Sequence, residues 1–339
     1  MDIQEINNTS NTLNNETQCT GSWPSTTVQL ISYLFIFVSS LAGNVLIVAI
    51  FFRDKTLRTT VNYFIVNMCV SDLIFTTIIL PIWITINLTR NKNLLLVVEI
   101  QHVVLCKIMS TSLGVSIFVS LFSITAIAAE RFHAIIFPMK PALISPKQCC
   151  AAIIAMWLSS FAMFLYHATI FSPGNDSCMD TKSTSEGLIF LSAFCALMCL
   201  FAVAITVFYL KVAIFLYRQK NSLHLASEVV KKRAKRNRKI ITMLIIIVIL
   251  FYVVYLPYYV MMFLSYVFHV LVPCVYIWFA FFICPIIYPV FNPVVYFVFN
   301  EKYRQGLWKI LCCLPFVGLS RKLSPKCRVV KPNRGQNNE

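Results

Sequence analysis

Seven long apolar runs dominate this sequence and leave it few ways to fold. They lie at about Val28–Phe52, Val61–Ile86, Val103–Ala129, Cys149–Phe171, Leu188–Tyr217, Ile240–Phe268 and Val275–Phe299. A helix needs roughly 20 consecutive apolar residues to cross a bilayer, and each run approaches or exceeds that length. In hydrocarbon every backbone N–H and C=O must be satisfied within the protein, so runs of this length predict helices. Composition agrees. The chain is 58% hydrophobic and 12% charged, against about 45–50% and about 25% in soluble domains. The expected fold is an all-α membrane protein, a seven-helix transmembrane bundle over 28–299.

The net charge of +16 raises nucleic acid as a partner, but its distribution argues against that. The first 30 residues contain no Lys or Arg, and alternate inter-helix segments add only Arg90, Lys92, Lys107 and Lys182. Every other basic residue falls on the opposite side. The positive-inside rule then puts the N-terminus outside and the C-terminus inside. The outer segments hold seven acids (Asp2, Glu5, Glu16, Glu99, Asp176, Asp180, Glu186) against those four bases. The inner basic residues are expected to meet anionic lipid and acidic partner surfaces. All five glycosylation sequons, at Asn7, Asn8, Asn15, Asn87 and Asn175, fall in or beside outer segments. Residues 1–27 read as a glycosylated outer tail. No cleaved signal peptide is evident, and the first span is expected to serve as the signal and remain.

Within the spans, charge and proline are the informative residues. Asp72 lies in mid-span, where an unpaired carboxylate costs at least ~2.5 kcal/mol, so it is expected to face the bundle interior. Asn44 beside Gly43 reads either as an amide bonded to its own helix or as an interhelical donor. Pro81 and Pro257 predict bends. Glu130-Arg131-Phe132 closes the third run 25 residues after Cys106. At 1.5 Å per residue that is roughly 37 Å, enough to put the two at opposite faces of the membrane. Glu301–Cys313 is amphipathic. Tyr303, Leu307, Ile310 and Leu311 share one face, opposite Lys302, Arg304, Gln305 and Lys309, as in a helix lying on the membrane over 300–313. Cys312 and Cys313 at its end are palmitoylation candidates. Residues 314–339 read as a disordered basic tail.

Only Cys19, Cys106, Cys178 and Cys274 lie on or near the outer side, where disulfides persist. Four cysteines allow three connectivities. Cys106–Cys178 would staple the outer loop to the third helix, and Cys19–Cys274 would tie the tail to the seventh.

These landmarks, one per helix and in order, resemble the rhodopsin-like (class A) G-protein-coupled receptors over about residues 28–313. They are Gly43-Asn44, Ser71-Asp72, Cys106 with Glu130-Arg131-Phe132, Trp157, Tyr209, Phe251 with Pro257, and Asn292-Pro293-Val294-Val295-Tyr296. The resemblance implies that Arg131, released from Glu130, contacts a heterotrimeric G protein. Tyr209 and Tyr296 move toward it, and Pro138-Met139 dock on the G-protein surface. Phe251, Tyr255, Pro257, Asn292 and Pro293 form the switch. Asp72, Ser120 and Asn292 resemble the family's sodium site. Arrestin, receptor kinases and membrane lipids are the further implied partners, with location in the plasma membrane and no organic cofactor.

The departures from the family pattern matter as well. Phe132 replaces a tyrosine, Tyr255 a tryptophan and Phe201 a helix-five proline, while Tyr288 and Pro289 replace small polar residues beside the sodium position. The inner end of the sixth run offers Asn237 among bases, with no acid to lock Arg131, so appreciable basal activity is expected.

Leu113 stands where amine receptors carry Asp, and Ile286 where opsins carry the retinal lysine. A peptide ligand is therefore expected, with Leu113, Tyr255, Tyr258, Tyr259, Asp180 and Glu186 as pocket residues. The alternatives are a lipid-ligand or constitutively active receptor of the same fold, or a transporter. A transporter is disfavoured because no internal repeat is visible. An enzyme is not expected. The five histidines are scattered, and Asp72 has no second mid-span carboxylate.

Overall fold

A computed structural model describes residues 19–20, 22, 24–89, 99–170, 185–222, 228–264 and 272–313. Long helices follow one another: α1 (Thr26–Arg53), α2 (Thr60–Thr89), α3 (Glu99–Ile136), α4 (Pro146–Ile170), α5 (Ser185–Ser222) and α6 (Glu228–Phe263). Next comes α7, built as a turn at Cys274–Ile277, a π-helical stretch at Trp278–Ile283 and a helix at Cys284–Phe299. The short α8 (Glu301–Cys313) completes the order. Among the described residues six helices are long and apolar enough to cross a membrane, and Cys274–Ala280 with Cys284–Phe299, bent by 41° to each other, together form a seventh span. Two-residue strands β1 (Cys19–Thr20) and β2 (Val272–Pro273) pair in parallel, with Cys19 opposite Val272. The chain is thus an all-α seven-helix bundle with one minimal strand pair at one end.

Local sequence explains the helix boundaries. Ser25 caps α1, its hydroxyl accepting from Val28 N. Ser145 and Gln148 form a reciprocal capping box at α4: Ser145 N donates to Gln148 Oε1 at 2.9 Å and Gln148 N to Ser145 Oγ at 3.3 Å. Pro146 occupies the first helical position, where its missing N–H costs nothing. Between α1 and α2, Asp54 Oδ1 accepts from Thr56 N at 2.9 Å, and its hydrogen bonding to Thr56 holds the carboxyl below the ordinary aspartate value.

Burial shows which helix is central. In its apolar window α3 is 67% buried, whereas α4 and α5 are each 17% buried. Ile31, Phe35, Leu158, Ile189, Leu210 and Ile249 stay exposed on the peripheral helices, as lipid-facing residues would. Small residues permit close crossings. A Cβ on Gly114 of α3 would come within 2.2 Å of Phe164 Cδ1 on α4, and one on Gly43 of α1 within 2.8 Å of Pro293 on α7.

Cys106 and Cys274 share one end of the bundle, here termed the disulfide end. Arg131 lies at the other, basic end.

Candidate functional site

Buried polar side chains of α1, α2, α3 and α7 lie in the interior of the bundle. Asp72, Ser120 and Asn292 are each about 1% exposed. Asn292 Nδ2 donates to Asp72 Oδ2 at 2.8 Å, joining α7 to α2. Asp72 therefore faces the interior, where the cost of its charge is lowest. Asp72 Oδ1 and Ser120 Oγ have no partner among the described residues, and neither does the buried Tyr288 hydroxyl. These oxygens of hard-donor type, together with Asn44 Oδ1, are thus left over in the buried core among the described residues. Asn292 turns its N–H toward the carboxylate.

The prolines of α7 generate the next contacts. Pro293 has no N–H, so the Pro289 carbonyl loses its helical partner. Asn44 Nδ2 donates to that carbonyl at 2.9 Å and also to Ser40 O in its own helix at 2.9 Å, so both readings of Asn44 hold. Pro289 frees the Pro285 carbonyl in the same way, and the Tyr255 hydroxyl reaches it at 3.5 Å. A tyrosine in place of tryptophan thus supplies a hydroxyl where α7 lacks a donor. The Tyr255 ring lies 4.8 Å from Phe251 and 5.5 Å from Tyr288, making one aromatic block between α6 and α7. Pro257 lies within α6, six residues beyond Phe251 and two beyond Tyr255.

Asn67, to which no role was assigned above, joins three helices. Its Nδ2 donates to Ser123 Oγ on α3 at 3.0 Å, and its Oδ1 accepts from Trp157 Nε1 on α4 at 2.9 Å. A lone amide in mid-span is the sequence signal that marks it. Asn67→Ala leaves the indole N–H without a partner. We expect a loss of about 1–2 kcal/mol, read as a lower melting temperature of the purified protein. Adding Trp157→Phe removes the orphaned donor, so the double variant should lose less than the sum of the single ones.

At the basic end Glu130 is 7% exposed. Arg131 Nε donates to Glu130 Oε2 at 2.7 Å, and Glu130 is its only ion-pair partner among the described residues. Tyr209 on α5 is buried and within electrostatic reach of Arg131. The Tyr296 hydroxyl points instead to Met68 Sδ on α2, at 3.9 Å. The Phe132 ring packs 5.4 Å from Phe208 of α5. Pro138 and Met139 form an exposed turn just past α3, Met139 being 95% exposed.

Toward the disulfide end, aromatic side chains fill the space between α3, α4, α5 and α6. Phe194 lies 5.1 Å from Phe118, 6.0 Å from Phe164 and 5.3 Å from Tyr259. Tyr258 packs 5.3 Å from Tyr259, whose buried hydroxyl has no partner among the described residues. Leu113 on α3 is partly buried and packs against the hydrophobic core. Glu186 is exposed in the first turn of α5, apart from these rings. Cys106 and Cys274 are both disulfide-bonded. The β1–β2 register brings Cys19 alongside Val272, two residues before Cys274. Asp180, Cys178, Asn7, Asn8, Asn15 and Asn175 lie outside the described residues. Asn87 falls in the last turn of α2, and Cys312 and Cys313 end α8.

A family model described as "7 transmembrane receptor (rhodopsin family)" matches residues 43–296. A QRFP-like peptide receptor of Branchiostoma floridae is 33% identical over 135 residues, which cover 40% of this chain and 34% of that protein. Neuropeptide FF receptor 2 of Mus musculus is 32% identical over 126 residues, 37% of this chain and 28% of that one. The chain therefore spans about a third of the length of these relatives. The RYamide receptor of Drosophila melanogaster is 26% identical over 328 residues, covering 87% of this chain and 68% of its own length. The crystal structure of squid rhodopsin superposes with a TM-score of 0.68 at 18% identity, covering 92% of this chain and 95% of that one.

Proposed function

Since the chain belongs to the rhodopsin family of seven-transmembrane receptors, we propose that it converts the binding of an extracellular peptide into activation of a heterotrimeric G protein. The observation that carries this reading is Arg131. It sits at the basic mouth of the central helix, held by Glu130 alone among the described residues, and the turn that follows the helix exposes Met139. Release of that guanidinium would present a charged fork to a partner on the same face. The names of the relatives, three of them receptors for peptides or amides, support a peptide over a lipid. On this reading the chain lies in the plasma membrane with its N-terminus outside, as the charge asymmetry and the sequons suggest.

The bundle then works as a two-state element. Ligand at the disulfide end and G protein at the basic end bias the same equilibrium, so each raises the affinity for the other. The Phe251–Tyr255–Tyr288 block and the proline-freed carbonyls of α7 are where α6 and α7 would shift. The unpartnered oxygens of Asp72 and Ser120 suit a sodium ion, a hard cation that takes oxygen ligands and would favour the inactive arrangement. Cys106–Cys178 and Cys19–Cys274 are the disulfides we assign to the outer face. Palmitoylation of Cys312 and Cys313, and binding of arrestin and receptor kinases, complete the proposal.

A library of free-acid and C-terminally amidated peptides, applied to cells that express the receptor with a promiscuous Gα reporter, tests the ligand class. At least one peptide should give a saturable response absent from untransfected cells. A response to lipids alone would overturn the peptide assignment.

A further inference from the structure

Around Asn237 the sequence of α6 offers no acid to hold Arg131, and Glu228 in the first turn of α6 is paired with Lys231, yet α6 is tethered by another route. Lys239, three turns into α6, donates to Glu301 Oε1 at 3.0 Å. Glu301 opens α8, and nothing in the sequence pattern connects the two positions, 62 residues apart.

α8 is anchored independently of α6. Lys302 Nζ donates to Thr56 O at 2.9 Å and to Thr56 Oγ1 at 3.1 Å, in the turn between α1 and α2. Tyr303 is fully buried, with its hydroxyl 3.5 Å from Asn62 Oδ1. Gly306 lets the helix lie against α1, since a Cβ there would stand 2.4 Å from Ile50. Asn300 caps the helix, its Oδ1 accepting from Lys302 N at 3.1 Å. α8 is therefore part of a fixed frame with α1 and α2. A bond from that frame to α6 restrains the end of α6 relative to α1 and α2. The hydrogen bond from Lys239 also holds the Glu301 carboxyl below the ordinary glutamate value.

We propose that the Lys239–Glu301 bridge is a latch that holds the basic end of α6 inward on α8 and so restrains the receptor in the absence of ligand. The effect is bounded by exposure. Both side chains are about half exposed, and such pairs shift an equilibrium by about two- to five-fold at most. The latch is thus a trim on basal activity, taking over part of the restraint that the missing acid would supply. Its signalling consequence rests on the G-protein reading above, but its structural consequence does not.

The test uses the full-length receptor in lipid nanodiscs, without ligand, as Glu301→Gln, Lys239→Gln and the exchanged pair Lys239→Glu with Glu301→Lys. Amide hydrogen exchange over residues 237–244 should quicken in both single variants and return toward wild type in the exchanged pair. Ligand-free nucleotide exchange on a G protein should rise about two- to five-fold in the same single variants and fall back in the pair. A role of Glu301 only at the positive end of the α8 dipole would leave the pair as altered as Glu301→Gln, and that result would overturn the latch. So would unchanged hydrogen exchange in the single variants. If hydrogen exchange behaves as described while no variant drives nucleotide exchange, the tether stands and the G-protein reading fails.

Discussion

Arg131→Ala should cut G-protein activation about 10- to 100-fold, the size expected when hydrogen bonds worth ~1.5–3 kcal/mol to a charged group are lost. Surface expression should change little. The reason lies in the surroundings of the side chain. Arg131 is at the edge of the core, its side chain 22% exposed, and its ion-pair partner among the described residues is the adjacent Glu130. No helix is joined to another through this pair, so its loss breaks no interhelical tie. Glu130→Gln makes the complementary case. It keeps the shape and removes the negative charge, so Arg131 is freed and ligand-independent activity should rise. Both effects are read by second-messenger output normalised to receptor at the cell surface. Full activity in Arg131→Ala would remove the inner face from the account.

The second large effect concerns folding. Gly114→Ala should destabilise the bundle by about 2–4 kcal/mol, through overpacking and displacement of a core ring. A Cβ at Gly114 would meet Phe164 Cδ1 at 2.2 Å and Cζ at 2.4 Å. Phe164 cannot simply turn away. It packs against Phe118 at 5.5 Å, Phe190 at 5.9 Å and Phe194 at 6.0 Å. Moving it opens the contact between α3, α4 and α5. Gly43→Ala is the milder comparison, because its Cβ would meet Pro293 at 2.8 Å. The measurement is the melting temperature and folded yield of purified receptor. Gly114→Ala combined with Phe164→Leu should recover part of the loss, since the smaller side chain vacates the overlap. Equal stability of Gly114→Ala and wild type would show that α3 and α4 pack less tightly than described.

The helices were legible in the sequence because lipid leaves the backbone no alternative. Asp72 was legible as an inward-facing residue for a similar reason, the cost of exposing its charge to hydrocarbon. Its partner was not, since the bond from Asn292 joins positions 220 residues apart and no local spacing encodes it. The same holds for Asn67, whose two partners lie on different helices, and for Lys239 with Glu301. The prolines of α7 announced irregularity without locating it. The π-helical stretch falls at Trp278–Ile283, just before Pro285, while the regular helix carries Pro289 and Pro293. What those prolines do is expose carbonyls that Asn44 and Tyr255 then approach, and that only becomes visible once the helices are in place. The lack of an acid around Asn237 on α6 was legible. The bridge at Glu301 on α8, which offers another restraint, was not.

The proposed function converges on one biochemical event, the release of GDP from a Gα subunit driven by this receptor. The direct measurement is nucleotide exchange in lipid vesicles containing purified receptor and heterotrimer, with Arg131→Ala as the matched control. The account predicts that wild-type receptor accelerates exchange on at least one Gα class, further with an activating peptide, and that Arg131→Ala cuts this acceleration about 10- to 100-fold. Equal rates with wild-type receptor, with Arg131→Ala and without receptor, across all Gα classes and in the presence of a peptide shown to bind, would contradict it.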